Sequence, residues 1–507
     1  MSLWHLPREL YAEISRFLAD DIHDVSRLIR KLAKKNIVKD INDGKTYKNG
    51  LLHSFNDEPA IVYADRSEWY SNGKLHRVGK PAICYTDGNC KYYKKNRLHS
   101  YNDLPAIKNA NGYLAWYQNN DCHRANDQPA VIYPNGDMEW YLNGELHRDN
   151  DLPAKVFANG RQEWWLHGEC HRNGDQPAVI DANGDMEWYQ NGDCHRDNDQ
   201  PAVIYPNGDM EWYQNGELHR LNGPAKVFAN GTHHWYLNNK QHRDDDLPAV
   251  EYTNGDLEWW YNDELHRDND LPAKIYINGT QEWYQHDEVH RDNDKPAKIF
   301  ATGDMEWYQH DEIHRDNDLP ATISIVGHLM WYQNDEIHRD NDLPAIMYPN
   351  GDLEWYINGK LHRDNDQPSK VFTRGSRIWH QNGKVHRDGD QPAIIRKNGD
   401  LEWYQHGKLH REGDQPAIIT HKGSHVYYNQ GLKHRDNDLP AKIVINEGSE
   451  WYQNDLLHRD GDKPAVCCTD GSVEYFKHGK RHRDNNLPAV IKANGESEWY
   501  IMDERIR

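Results

Sequence analysis

The chain has 507 residues, 60 Lys and Arg against 81 Asp and Glu, and a mean hydropathy of −1.07. Its hydrophobic fraction of 36% is too low for several thick cores, yet 19 Trp and 30 Tyr are too many for a disordered chain. The formal charge of −21 disfavours nucleic acid or an anionic membrane as main partner, and no apolar run approaches the ~20 residues of a membrane span. Export is not expected, because MSLWHLPREL is charged within its first ten residues and lacks an apolar signal core. Seven cysteines without framework spacing read as reduced intracellular thiols.

In chain order, residues 1–44 come first and are patterned for helix. Leu6, Leu10, Ile14, Phe17 and Leu18 keep helical spacing, and Val25, Leu28, Ile29 and Leu32 repeat it. Pro7 and Glu9 suit a first turn, while Asp20, Asp21 and Asp24 suit the cap of a second helix. Residues 1–50 hold 10 basic and 7 acidic side chains, so the negative charge is carried by the rest of the chain.

Residues 45–507 are one tandem repeat. A histidine recurs 19 times from His53 to His482, in steps of 24 residues except three of 23, and a proline follows each by five or six residues. About 19–20 copies of 24 residues predict a mostly β fold, an elongated array of β-hairpins behind a small helical N-terminal domain or cap. Within a copy, Pro134-Asn135-Gly136 predicts a three-residue loop ending in a left-handed glycine. That register puts Ala130, Ile132, Met138 and Trp140 on one face and Val131, Tyr133, Glu139 and Tyr141 on the other. A two-residue turn would instead set Ile132 against Glu139. The next turn, Leu142-Asn143-Gly144, is then expected to return Leu146 beside Trp140 and His147 opposite Glu139.

Three constellations invite chemistry. The histidines His147, His171 and His195 form a ladder with Glu139, Glu163 and Glu187, for which cross-strand His–Glu pairs are expected. A ladder of equivalent sites is not a catalytic constellation, and no His or Cys cluster has zinc spacing, so no catalytic, metal or cofactor residue is assigned. Asp149-Asn150-Asp151 and its copies superficially resemble calcium loops, but turn geometry and Asp–Arg pairing explain them better. Trp140, Trp164, Trp188, Trp212, Trp283 and Trp307 are expected to pack the repeat core; lining sugar- or choline-type sites is the alternative. Cys122, Cys170 and Cys194 take the place of the leucine before the histidine and are expected to act as small buried hydrophobes.

Two stretches resemble known families. Leu6–Leu32 resembles an F-box through Leu6-Pro7, Glu9-Leu10, Ile14, Leu18, Asp21-Ile22 and Val25-Ser26. That resemblance implies docking of Leu6, Pro7, Leu10, Ile14, Leu18, Ile22 and Val25 on a Skp-type adaptor of a cullin ubiquitin ligase, with the rest of the chain selecting a client. Units such as Asn135–Arg148 are similar to MORN repeats, with arginine in place of the glycine that follows the histidine. The HRDNDLPA phrase is also similar to tandem repeats in proteins of giant DNA viruses of amoebae, which implies a host cytoplasm or a virion as its place. The expectation is therefore a non-enzymatic protein-interaction chain with protein partners. A structural scaffold whose helices only cap the array, and a carbohydrate- or choline-binding repeat protein, are the alternatives.

Overall fold

Three left-handed turns in most copies set the fold, and each uses a Gly, Asn or Asp at positive φ, where the steric cost is small. The computed structural model describes residues 37–39 and 44–507, and every regular element among them is a strand. The helices expected at Leu6–Leu32 lie outside the described residues. The first strand, Ile37–Lys39, pairs antiparallel with Thr46–Lys48, which pairs in turn with Leu51–Leu52.

One copy shows the plan. Val131–Ile132 and Met138–Glu139 form a hairpin with Ile132 opposite Met138 and Val131 opposite Glu139. Tyr133 N donates to Asp137 O at 2.9 Å, Gly136 N donates to Tyr133 O at 3.0 Å, and Gly136 has φ 96°. This is the expected three-residue loop. Met138–Glu139 then pairs with Lys155–Val156 of the next copy, so hairpins join edge to edge into a continuing antiparallel sheet.

The second hairpin differs from expectation by one residue. Tyr141–Leu142 pairs with Glu145–Leu146 as Tyr141 opposite Leu146 and Leu142 opposite Glu145. Asn143 (φ 52°) and Gly144 (φ 93°) make a two-residue turn with both central residues left-handed, the type that matches strand twist. Trp140 is the pivot between the two hairpins. Its N–H donates to Ala154 O in the main sheet at 2.8 Å, and its carbonyl accepts His147 N of the side hairpin at 3.1 Å. Asn150 and Asp151, at φ 61° and 55°, form the third turn, and Leu152 N closes it on Asp149 O at 3.4 Å.

The chain divides into two units, one reaching Asp245 and including Ala249–Thr253, the other made of Asp246–Pro248 and Asn254–Arg507. In the first, the sheet runs from Ile61–Val62 to Val250–Glu251. In the second it runs from Leu257–Glu258 to Ser497–Glu498. Both have the same core, illustrated by Trp164, Cys170, Ala178 and Val179 in the first and by Trp283, Val289 and Ala297 in the second. A tryptophan, the residue before the histidine, and the alanine of the next copy thus meet between the main sheet and the side hairpins. The expected apolar face is only partly core. Ala130 and Trp140 are buried, but Ile132 and Met138 are half-buried while Val131, on the other face, is buried. Strands of two residues twist strongly and then turn off at the tryptophan, so neither face stays sealed along its length.

Candidate interaction surface

The tryptophans at 140, 164, 188, 212, 283 and 307 are all buried, as expected of core residues. Each carries an arginine guanidinium on its ring: Arg148, Arg172, Arg196, Arg220, Arg291 and Arg315 lie 3.7–4.0 Å from the ring centroids. Arg148 uses its planar fork fully. Nε and Nη2 donate to the two oxygens of Asp127 at 2.7 and 2.9 Å, and Nη1 donates to Pro153 O at 3.2 Å. The indole N–H of Trp140 donates to Asp127 O at 3.2 Å. One arginine therefore ties the turn of the preceding copy, the tryptophan of its own and the proline that opens the next strand. A bidentate, charge-assisted pair stacked on an aromatic ring suits arginine and not lysine. The arginine's hydrogen bonds hold the Asp127 carboxyl below the usual carboxylate range. Where a lysine joins, as Lys295 does at Asp270 and Lys463 at Asp438, the carboxyl is pulled to about 2.

Asp–Arg pairing at the Asp-Asn-Asp loops was expected, and the structure places it between copies, 21 residues apart. The oxygens of one loop diverge: Asp149 faces His147, whereas Asp151 faces Arg172. Among the described residues no three of His, Cys, Asp and Glu converge as a metal site requires.

The expected His–Glu pairs are not formed. His147 Nε2 meets Asp149 Oδ1 at 3.1 Å, and its Nδ1 accepts the backbone N–H of His167 at 3.3 Å. His195 repeats this with Asp197 at 3.2 Å and Asn215 N at 3.2 Å, and His171 with Asn173 at 3.0 Å and Asn191 N at 3.2 Å. The reason is the two-residue turn, which slides the return strand by one position and sets His147 opposite Trp140. The glutamates bond to aromatic and basic neighbours instead. Glu139 accepts the Tyr133 and Tyr141 hydroxyls at 3.1 and 3.0 Å, and Lys155 stands 3.5 Å away. Glu163 accepts Arg161 at 2.8 Å and the Trp165 indole at 3.0 Å, and Glu187 accepts Tyr189 at 2.8 Å. Burial and the adjacent carboxylate raise the Tyr141 hydroxyl well above its ordinary range.

Cys170 is buried, Cys122 and Cys194 are half-buried, and burial pushes all three thiols up to about 12, which disfavours the nucleophilic thiolate. Buried and with a guanidinium on its face, the tryptophan ring lacks the open face that a sugar or choline would stack on.

What remains outside the packing is the rim of the sheet. The hairpin tips vary from copy to copy, beginning with Pro134, Ala158, Ala182, Pro206 and Ile277 at one equivalent position, while the tryptophan, arginine and aspartate beneath them recur. No protein-family model matches the chain, and no curated protein matches it.

Proposed function

We propose that the chain is a non-enzymatic interaction protein whose repeat array presents partner-binding tips on a self-tied scaffold. In this reading Leu6–Leu32 is an F-box-like segment that docks on a Skp-type adaptor, and the variant MORN-like repeats bind a client for a cullin-type ubiquitin ligase in a host cytoplasm. The observation that supports it is the division of labour within each copy: staple residues recur and satisfy one another, whereas tip residues differ and face outward. Loops held on a rigid frame are the usual seat of recognition. Pull-down of the full chain with a Skp-type adaptor tests the adaptor half. Binding that disappears on changing Leu6, Pro7 and Leu10 to alanine supports it; no binding by the unaltered chain sinks it.

A structural role, with the N-terminal segment acting only as a cap, has one observation in its favour. Ile37–Lys39 already pairs with Thr46–Lys48, so the chain before residue 45 contributes an edge strand to the first sheet. Capping of the terminal repeat is a general need of repeat arrays. If removing residues 1–36 lowers the melting temperature of the array while adaptor binding is absent, the cap role is the better account.

A further inference from the structure

Four segments break the repeat pattern, and three are compensated inside the chain. His233 lies opposite Glu251, with its Nδ1 3.9 Å from the carboxylate. His380, where other copies have tyrosine, meets Ser369, where they have alanine, at 2.8 Å. His421 sits 2.8 Å from Asp400. In the fourth, Ser324–His328, the ends are answered, Ser324 Oγ accepting His328 N at 3.0 Å and His328 lying edge-on to Tyr348, but Ile325 and Val326 between them are left exposed. Its backbone is that of the Tyr133–Asp137 tip: Ser324 N donates to His328 O at 2.9 Å, Gly327 N to Ser324 O at 2.8 Å, and Ile325 N to Asp304 Oδ1 at 2.7 Å. Only the side chains have changed, from Pro-Asn-Gly to Ile325-Val326-Gly327. Ile325 is 69% and Val326 63% exposed. Nothing in the loop's geometry requires them, and β-branched apolar side chains at a tip expose area the fold does not use.

Two tips earlier, Ile277 is 70% exposed, and between them stands Ala301. Ala301 lines a cavity of about 580 Å³ together with Phe300, Met305, Ile323, Met330 and Tyr332, and Ser324 and His328 of the deviant tip form part of its wall. Two carboxylates, Asp304 and Glu306, and the His328 imidazole also line it, and Asp304 is engaged by the backbone N–H of Ile325 at 2.7 Å. Glu306 accepts the Tyr308 hydroxyl at 3.0 Å. Its cross-strand neighbours are Lys298, which turns to Glu282 at 3.7 Å, and Thr322, where several copies carry lysine. Among the described residues no cation lies within ion-pair distance of Glu306.

We propose that this cavity, between the tips Tyr276–Thr280, Phe300–Asp304 and Ser324–His328, docks a peptide segment of a partner protein carrying a large apolar side chain flanked by lysine or arginine. The apolar residue enters the cavity beside the exposed Ile325 and Val326, and the basic neighbour reaches Glu306. The chain's charge of −21 favours a basic partner at long range as well. This assignment rests on the proposed interaction role and narrows it to one site and one partner chemistry.

The test uses the full chain and a phage-displayed library of random dodecapeptides, with two variants built from residues found elsewhere in the array. I325P/V326N restores the Pro-Asn-Gly tip, and T322K places a lysine beside Glu306; circular dichroism checks that both keep the fold. Peptides enriched on the unaltered chain are expected to pair an apolar residue with Lys or Arg. Their affinity is expected to fall at least tenfold on I325P/V326N and about threefold on T322K. Enriched peptides that are acidic, or that bind I325P/V326N equally well, overturn the assignment while leaving a peptide-binding array. No enrichment at all overturns the site too, and adaptor pull-down then judges the broader reading independently.

Discussion

At the scale of single residues, the arginine that follows all but two of the repeat histidines organises its surroundings. Arg148 satisfies an aspartate, a carbonyl and a ring face at once, which no other side chain can do. Arg148→Lys keeps the charge but loses the fork and the stack. It is expected to destabilise its neighbourhood by ~1.5–3 kcal/mol, the range for hydrogen bonds to charged groups, read from a denaturant titration. An unchanged midpoint would show the staple to be ornamental. Trp140→Ala is expected to cost more, ~3–5 kcal/mol, because it also leaves a cavity.

The Ser369–His380 pair gives a residue-scale acid effect. Burial, helped by Lys370, lowers the His380 imidazole from its ordinary value of 6.5 to about 4. A depressed histidine favours the fold above 6.5, and that contribution is lost as pH falls toward about 4. Replacing the pair by the alanine and tyrosine of other copies is expected to flatten this part of the pH–stability curve. A variant with the same acid response as the parent would contradict the assignment.

Elements depend on their turns. Pro-Asn-Gly was decisive in the sequence because only the three-residue loop segregates Ile132 from Glu139, and the hairpins carry that register. Asn143-Gly144 carried an ambiguous signal: the same dipeptide serves a two-residue turn, and the one-residue difference moved His147 from Glu139 to a backbone N–H of the next copy. Contacts between copies, such as Asp127 to Arg148, were legible as residue types but not as partners, because spacing within a copy does not say how copies meet. The core was half legible for a similar reason: Trp140 was found, but the half-exposure of Ile132 and Met138 follows from strand twist, which the alternation of residue types does not encode.

A substitution separates turn strain from contact. Gly279 has φ 94° with open space where a Cβ would go, so Gly279→Ala is expected to cost only the ~1–2 kcal/mol of a left-handed alanine. Gly448 has φ 140°, and a Cβ there would run into the carbonyl of Cys467 and come within 2.8 Å of Cys468 Cα. Gly448→Ala is expected to be clearly the more damaging of the two in parallel thermal melts, and equal effects would refute the difference in crowding.

Across the whole molecule, copies contact their neighbours through the same few links, so stability is expected to be a sum of nearest-neighbour terms. Acid acts on two sets of groups, three histidines near the start of the array and the staple aspartates. His53, His76 and His99 are held below 6.5, with burial the first cause and nearby lysines the second. Their share of stability is present above 6.5 and is lost as pH falls below it. The staple aspartates lie below 3.8, so their share is present above 3.8 and is lost toward about 2, the value reached by Asp270 and Asp438. Melting followed by circular dichroism from pH 7.5 downward is expected to fall in two stages, one below 6.5 and a second below 3.8. A single transition would show that the two sets do not act separately.

The direct test of the staple as the link between copies is hydrogen exchange by mass spectrometry on the full chain carrying Arg291→Gln. Arg291 bonds Asp270 at 2.6 and 3.2 Å and lies 3.7 Å from the centroid of the Trp283 ring. The expected result is faster exchange confined to the copies on either side of residue 291, with distant copies unchanged. Exchange that is unaltered there, or that accelerates evenly along the chain, would contradict an array held together copy by copy.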